Sequence, residues 1–265
     1  MKKSVKVIIA GAIVAAIGLM MVLCALGISG GSLKGIRNWQ TQSVEFDTPI
    51  NKLQMEANAG QVTIRRGATD KIKITYDYDD SYAPEIGLKN GGVLNIETGR
   101  KHWYDLGLWF NNAPSMQVEV PENWTFALDV TLNAGSLTIG DGDWGEVMDV
   151  ELNAGAVSIG NVTVTKLNIE VNAGGLTAKE VVCSEFDCEV NAGGVNVKKL
   201  DATTITVDVS AGSANLGLVG AKSDYNIRVD KSAGSCNVIS QSNPSASRSL
   251  RVDVSAGSAD VTFGK

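Results

Sequence analysis

Few side chains in this sequence combine a reactive type with the spacing that a reaction requires. The single histidine, His102, would have to fill every histidine role, so the sequence offers no Ser/His/Asp site. The stretch GDGDWGE brings together Asp141, Asp143 and Glu146, but it lacks the full ligand spacing of a calcium loop and is interpreted as a polar turn. We therefore predict no catalytic, cofactor-binding or metal-binding residues, no cofactor, and a protein that is not an enzyme.

One segment concentrates aromatic side chains. The stretch RKHWYDLGLWFNNAP carries Trp103, Tyr104, Trp109 and Phe110. An exposed loop of this composition would contact a glycan, a lipid or a partner protein. The alternative is a loop folded over the end of the domain, with its rings buried. These four aromatic residues are the candidate contact residues of the sequence.

A repeated triplet, Asn-Ala-Gly or Ser-Ala-Gly, organises most of the chain. From the second copy onward, its glycines are 20, 19, 19, 19, 22 and 23 residues apart. A near-constant period of this length is typical of repeat architectures. The first and third residues of the eight copies are Asn58 and Gly60, Asn133 and Gly135, Asn153 and Gly155, Asn172 and Gly174, Asn191 and Gly193, Ser210 and Gly212, Ser232 and Gly234, and Ser255 and Gly257.

The hydrophobic pattern changes phase at each triplet. Before it, every second residue is apolar, as in Leu167, Ile169 and Val171, which predicts a half-buried strand. After it, the apolar positions have the opposite parity, so the chain must turn there. We expect the glycine to adopt a positive φ, the alanine to fill the inside of the corner, and the Asn or Ser to bond to local backbone.

Each unit contains three short strands, three corners and no segment of helical length. The predicted fold class is therefore all-β, a parallel β-solenoid (β-helix) with coils of about 19–23 residues that bury their apolar sides by stacking. We expect each strand to stack on its counterpart one unit away in the sequence. We expect Asn133, Asn153, Asn172 and Asn191 to stack as an amide ladder. The outward positions carry Thr, Ser, Asn, Asp and Glu, which we interpret as scattered from coil to coil.

The cysteines of the repeats occupy inward positions that other units fill with Val, Ile, Leu or Ala. Cys183, Cys188 and Cys236 are accordingly predicted to be buried free thiols. A Cys183–Cys188 bridge across one corner is the alternative.

The chain divides into four segments. Residues 1–29 contain an apolar run long enough to span a membrane, preceded by lysines that favour a cytoplasmic N-terminus; a cleaved signal sequence is the alternative. Residues 30–43 read as a Gly/Ser-containing linker. Residues 44–127 form a β-rich section that begins or caps the solenoid, and residues 128–265 contain the repeats. We expect a single-pass membrane protein with its C-terminal domain outside the cell.

The charge balance restricts the partners. The whole chain carries −6, and residues 30–265, with 20 basic and 29 acidic residues, carry −9. Such a surface repels nucleic acid. The expected partners are the membrane, through the N-terminal span, and envelope proteins or cell-wall polymers.

Several stretches carry a resemblance to a known family. In the order MEANAGQVTIRRGATDKIKITYDYD, NGGVLNIETG, VEVPENW and repeated NAGxVxIG, residues 44–265 resemble the bacterial putative-adhesin domain family, a family of unknown function. The resemblance implies an all-β, solenoid-like domain displayed on the bacterial cell surface by a single membrane span. The family has no established catalytic residues, so the resemblance implies none here.

These observations lead to one hypothesis and two alternatives. The hypothesis is a non-enzymatic, adhesin-like surface protein whose solenoid binds envelope components or partner proteins. The first alternative is an accessory factor in envelope-stress signalling that acts through a membrane partner, a role associated with some similar proteins. The second is a polysaccharide-active β-helix enzyme, which would need three or more carboxylates converging in one groove.

Overall fold

The computed structural model describes residues 39–47, 49–79, 82–98, 113–123 and 125–264. The predicted N-terminal span and the aromatic residues Trp103, Tyr104, Trp109 and Phe110 lie outside the described residues. Among the residues that are described, no helix is long and apolar enough to cross a membrane.

Short strands make up most of this part of the chain. In chain order they are β1 Gln40–Phe46, β2 Lys52–Ala57, β3 Gln61–Gly67, β4 Ile72–Tyr78, β5 Glu85–Lys89, β6 Val93–Thr98, β7 Ser115–Pro121, β8 Ala127–Leu132, β9 Ser136–Ile139, β10 Gly142–Asp143, β11 Val147–Leu152, β12 Ala156–Thr163, β13 Lys166–Val171, β14 Gly175–Val190, β15 Gly194–Val209, β16 Ser213–Leu218, β17 Tyr225–Lys231, β18 Ser235–Cys236, β19 Arg248–Val254 and β20 Ser258–Phe263. The fold is all-β and solenoid-like, as predicted.

The strands stack in register as the sides of successive coils. The first face consists, in stacking order, of β6, β2, β8, β11, β13, residues 185–190 of β14, residues 204–209 of β15, β19 and β17, all parallel. The second face stacks β7, β3, β9, β12, the first parts of β14 and β15, β16, β20 and β18 in the same way. A shorter third side contains β10 and the middle parts of β14 and β15.

The order of the coils departs from chain order at both ends of the stack. Strand β2 pairs with β6 on one side and with β8 on the other, so the first coil of the sequence is not the outermost. At the other end, β19 lies between β15 and β17. The expectation that each strand stacks on its counterpart one unit away is therefore wrong at both ends. The parallel strands begin at Lys52, within the segment interpreted as beginning or capping the solenoid.

Antiparallel strands complete the end that contains β6 and β7. Strand β4 pairs with β7, β1 pairs with β4, and β5 pairs with β6. At the opposite end, β17 is covered by the segment that follows β18, because Ile227 and Gln241 exchange backbone hydrogen bonds of 2.9 and 2.8 Å. Both ends of the stack thus carry chain segments that are not part of the regular repeat.

The core is built from the inward residues of every coil. On the first face, one inward row contains Leu128, Met148, Leu167, Phe186 and Ile205, each at most 1% exposed. Side chains that stack in this way exclude water continuously along the solenoid, at roughly 25 cal/mol per Å² of apolar area buried. Cys183, Cys188 and Cys236 are free thiols, and Cys188 is fully buried while the other two are half-buried.

The amide ladder predicted from the Asn-Ala-Gly copies is confirmed. Each Nδ2 donates to the Oδ1 of the preceding coil: Asn191 to Asn172 at 2.9 Å, Asn172 to Asn153 at 3.0 Å, and Asn153 to Asn133 at 2.9 Å. The ladder continues through Asn133 to Asn58. These amides bond across coils rather than to local backbone, which corrects the expected role of the side chain.

The alanine of the triplet does not fill the inside of the corner, as had been expected. Ala134, Ala211, Ala233 and Ala256 are exposed, and the alanines of the other four copies are half-buried. The inside is filled instead by the apolar residue before the triplet, such as Leu152, which is 0% exposed. Counting the alanine as inward was therefore wrong.

The glycine of the triplet is required mainly by the closeness of neighbouring coils. Gly60, Gly135, Gly155, Gly174 and Gly193 have positive φ, as predicted, but Gly212, Gly234 and Gly257 do not. All eight have a backbone oxygen within 2.6 Å of where a Cβ would stand; for Gly212 this is the carbonyl oxygen of Gly193 at 2.5 Å. A side chain at these positions would collide with the next coil whatever its φ.

Candidate functional site

Carboxylates form a row across the first face that is interrupted at one position. The row lies two positions before the Asn or Ser of each triplet and continues to Glu97 of β6, which precedes no triplet but is the register partner of Glu56. Successive members are direct partners in the strand register. Every position except Thr131 is acidic. In stacking order the members of this acidic row are Glu97, Glu56, Thr131, Glu151, Glu170, Glu189, Asp208, Asp253 and Asp230.

The repeat itself positions these side chains. Each strand of the first face alternates inward apolar and outward polar residues, as in β13, where Leu167, Ile169 and Val171 are buried while Glu170 is exposed. Because the strands pair in register, the same outward position of every coil falls on one line. Neighbouring members are therefore about 4.8 Å apart along the stack, the spacing between adjacent strands.

A second row beside it adds more negative charge. Asp129, Asp149, Asn168 and Asp187 are partners in the same register, two residues earlier in each strand. At the far end this second row becomes basic, with Arg251 and Arg228. The middle of the first face is therefore its most acidic part.

The amide ladder holds three carboxylates of the acidic row in place. The second Nδ2 hydrogen of Asn153 is donated to Glu151 at 3.0 Å, that of Asn172 to Glu170 at 3.1 Å, and that of Asn133 to Glu56 at 3.1 Å. Each of these amides thus binds one neighbouring coil and one carboxylate. The corner residues and the acidic face form a single hydrogen-bonded arrangement.

The basic side chains of the first face lie at its margins. Lys52 pairs with Asp129 at 2.8 Å, Lys166 with Glu185 at 2.7 Å, and Arg228 with Asp230 at 2.9 Å. Within the described residues, no ion pair involves Glu151, Glu170 or Glu189. Like charges opposite one another destabilise a sheet, so the carboxylates in this part of the row repel one another.

A shallow groove runs between the two rows. Its volume is about 310 Å³, and its carboxylate lining comprises Asp129, Asp149, Glu151, Glu170, Asp187 and Glu189. In the described part of the chain, no three His, Cys, Asp or Glu side chains form a group that could hold a metal ion. The groove is a linear array of carboxylates on an open sheet, suited to several cationic groups in succession.

The stretch GDGDWGE contributes to the scaffold through the short strand β10 and the bends on either side of it. Asp143 accepts a hydrogen bond from the backbone N–H of Gly145 at 3.0 Å, and Asp141 accepts one from the backbone N–H of Asn161 at 2.7 Å. Hydrogen bonds from Asn161 lower the pKa of Asp141. Trp144 is 0% exposed, and the Arg66 guanidinium lies 4.6 Å from the centre of its ring. The stretch is therefore structural, but the interpretation as a polar turn is corrected in part, because Gly142 and Asp143 form a strand and Trp144 belongs to the core.

The thiols are poor nucleophiles. Burial raises the pKa of Cys183 to about 12, with smaller contributions from Asp201 and Glu185. Burial also raises the pKa of Cys188. Both thiols therefore stay protonated at neutral pH, whereas the reactive form of cysteine is the thiolate.

Sequence reasoning missed the acidic row. The outward residues were interpreted as scattered because they were compared between coils by polarity and not by charge. Aligning the copies on the triplet would have revealed it, since Glu151, Glu170, Glu189, Asp208 and Asp253 all lie two positions before an Asn or Ser. The aromatic contact residues were predicted in a segment outside the described residues, so that prediction stands as it was made.

The fold and this face define a class of protein: a parallel β-solenoid that presents a repeated, charged outer surface on a closely stacked core. The chain belongs to the Toastrack family, DUF4097, whose model matches residues 50–265. It is a family of unknown function, which agrees with the resemblance seen in the sequence. The comparison with curated proteins found no match.

Several solved structures are similar to this chain. A putative adhesin from Bacteroides fragilis is 14% identical, with 84% of this chain and 97% of that chain covered and a TM-score of 0.55. A putative adhesin from Parabacteroides distasonis is 10% identical, with 84% of this chain and 97% of that chain covered and a TM-score of 0.48. A putative lipid binding protein from the same organism is 13% identical, with 86% of this chain and 98% of that chain covered and a TM-score of 0.41. At 14% identity, the likeness to the Bacteroides fragilis structure concerns the fold alone.

Proposed function

We propose that this protein is a non-enzymatic binding protein of the bacterial cell surface, and that its acidic row holds a Lys- or Arg-rich segment of a partner protein. The observation that carries the proposal is the in-register line of carboxylates, whose middle members Glu151, Glu170 and Glu189 repel one another. A chain of cations laid along the row would replace repulsion between neighbours by attraction.

The scaffold suits this role because it keeps the charges in fixed positions. Hydrogen bonds from Asn153 and Asn172 orient Glu151 and Glu170 before any partner arrives. Preorganised groups lose little conformational entropy on binding. Clustered charge also steers a partner of opposite sign, with a rate that falls as salt is added.

The membrane location forms part of the same proposal. The apolar run from Val7 to Leu26, preceded by Lys2, Lys3 and Lys6, would anchor the protein with its N-terminus in the cytoplasm. The solenoid would then face the outside of the cell. An acidic face is repelled by anionic lipid headgroups and is left available to basic proteins of the envelope.

Binding of the full-length chain to fluorescent poly-L-lysine would test the proposal, with poly-L-glutamate as the negative probe. A row-neutral variant, Glu151→Gln/Glu170→Gln/Glu189→Gln, removes the central charges but keeps an oxygen that accepts the amide hydrogen bonds. We expect it to bind poly-L-lysine at least about tenfold more weakly than the wild type, because three carboxylates are lost at roughly 0.5–1 kcal/mol each.

A control variant removes the same number of charges elsewhere. Glu45→Gln/Glu146→Gln/Asp260→Asn neutralises three exposed acids that lie outside the acidic row. It should bind poly-L-lysine within about twofold of the wild type. If both variants bound poly-L-lysine equally weakly, binding would depend on net charge alone, and the acidic row would not be the binding face.

A polysaccharide-cleaving enzyme is the second candidate, because six carboxylates line one groove of the first face. Carboxylates in adjacent strands and adjacent rows have separations of roughly 5–10 Å, the range used by glycosidases. Release of reducing ends from wall or plant polysaccharides by the wild type, and its loss in the row-neutral variant, would support this candidate. No release from any polysaccharide would remove it.

A further inference from the structure

Strand β5 is an exposed sheet edge at the end of the solenoid. Within the described residues it pairs with β6 alone, through Glu85–Glu97, Ile86–Ile96 and Leu88–Leu94. Four of its five residues are exposed, and Leu88 is 55% exposed although it lies on the same side of the sheet as buried Leu94. An edge of this kind offers unpaired backbone groups to another strand.

The sequence of β5 is complementary to itself. The strand reads Glu85-Ile86-Gly87-Leu88-Lys89. When two copies are placed antiparallel about a two-fold axis at Gly87, Glu85 of each lies opposite Lys89 of the other, and Ile86 lies opposite Leu88. Opposite charges and apolar pairs in direct register stabilise an antiparallel sheet. The same surface serves both copies, as a two-fold interface requires.

The surroundings of β5 favour this pairing. Within one chain, Glu85 is the register partner of Glu97, so a lysine from a second copy would offset a like-charge contact. Lys89 donates to Asn95 at 2.7 Å, which holds its ammonium group beside the strand with further donors to spare. Gly87 would have no atom within 4 Å of a Cβ, so the outer side of the strand at the axis is open.

Two other described edges, β17 and β1, lack these features. Strand β17 is covered through the Ile227–Gln241 bridge. Strand β1 is exposed but carries Glu45 as its one charged residue, so self-pairing would bring no opposite charges together. Charge complementarity thus singles out β5.

We infer that two copies of this chain associate end to end through antiparallel pairing of their β5 strands, which extends the first face continuously from one solenoid into the other. The inference is independent of what the acidic row binds.

Sedimentation velocity of the full-length chain in neutral detergent, across micromolar concentrations, tests the inference. We expect a monomer–dimer equilibrium. Lys89→Glu places a carboxylate opposite Glu85 of the other copy on each side of the axis. The dissociation constant of the dimer should rise at least about tenfold. The double variant Glu85→Lys/Lys89→Glu restores opposite charges and should recover the wild-type dissociation constant. Lys179→Glu, the same change at an exposed position of β14, should leave it unaltered.

A second measurement is independent of the charges. Gly87→Cys places a thiol on the proposed axis, facing its copy at a distance within reach of a disulfide. Mild oxidation should yield a covalent dimer in excess of that given by the wild type. The inference would be overturned if the wild type were monomeric, or if Lys89→Glu left the dissociation constant of the dimer unchanged. It would also be overturned if the double variant failed to recover the wild-type dissociation constant.

Discussion

At the scale of single residues, each corner glycine is required by the distance between coils. Gly174 has φ +111° and would place a Cβ 2.3 Å from the carbonyl oxygen of Gly155. Gly212 lacks the positive φ, yet its Cβ would lie 2.5 Å from the carbonyl oxygen of Gly193. At Gly174, the positive φ and the close contact both disfavour a side chain. At Gly212, the close contact alone disfavours it.

Both glycines should consequently be intolerant of alanine. We expect Gly174→Ala and Gly212→Ala each to lower the free energy of unfolding by at least about 2 kcal/mol, measured by urea denaturation. Gly175→Ala is the matched control, because nothing lies within 4 Å of its Cβ. It should stay within about 0.5 kcal/mol of the wild type. A harmless Gly212→Ala would show that the coils can separate and that positive φ is the actual constraint.

The buried thiols make stability depend on pH. Burial raises the pKa of Cys183 to about 12 and also raises that of Cys188. Above about pH 8.5 the unfolded thiols lose protons that the folded thiols retain, so the folded state binds more protons and the free energy of unfolding falls as pH rises. The contribution of these thiols is complete below about pH 8.5.

Replacing Cys188 should reduce this dependence. Its register partners are Ile169 and Val207, so Cys188→Val fits the row. Between about pH 7.5 and about pH 9.5, the wild type should lose more stability than Cys188→Val, by up to about 1.4 kcal/mol for each pH unit above the ordinary thiol pKa. Urea denaturation at both pH values measures the difference, and parallel losses in the two proteins would contradict it.

At the scale of elements, the amide ladder joins the coils along one edge. Asn153 occupies its middle, donating to Asn133 and Glu151 and accepting from Asn172. Removing its side chain would leave both neighbouring amides without a partner on one side. A half-buried polar group that loses its hydrogen bond costs roughly 1–3 kcal/mol.

Asn153→Ala should therefore lower the free energy of unfolding by about 2 kcal/mol, measured by urea denaturation. Asn196→Ala provides the comparison, since Asn196 is exposed on the second face and makes no hydrogen bond through its side chain among those described. Its effect should be below about 0.5 kcal/mol. If the two variants were equally stable, the ladder would contribute nothing to the fold.

The regular coils could be predicted from the sequence because one unit contains all the information they need. The alternation around Leu167, Ile169 and Val171 and the period of the triplets define the strands, the corners and the stacking direction. The order of coils at the ends could not be predicted in this way, because it depends on longer connections that carry the chain past a neighbour. One local signal was present: Lys231 occupies in β17 the position that Val254 occupies in β19, which suits an outermost strand.

The acidic row was present in the sequence but not in any single unit. Its members come from different coils, so it emerges only when the units are aligned, and its consequence is electrostatic rather than conformational. The alanine of the triplet illustrates the opposite error, since parity alone counted it as inward while the close approach of glycine backbones leaves it outside. Period and parity thus predicted the strands better than the corners.

At the scale of the whole molecule, the solenoid maintains like charges side by side along much of its length. The amides of Asn153 and Asn172 compensate for part of the repulsion at Glu151 and Glu170, and the stacked core supplies the rest of the stability. A surface that lowers stability in the absence of a partner is typical of binding sites. Stability and binding should therefore change in opposite directions when the row is neutralised.

The most direct test of this account is urea denaturation of the wild type and the row-neutral variant, Glu151→Gln/Glu170→Gln/Glu189→Gln, with and without poly-L-lysine. Without it, the row-neutral variant should be more stable than the wild type by about 0.5–2 kcal/mol, because like charges have been removed. With it, the wild type should gain stability in proportion to binding, and the variant should gain little. A variant that is less stable alone, or that gains as much as the wild type, would contradict the acidic row as a binding face.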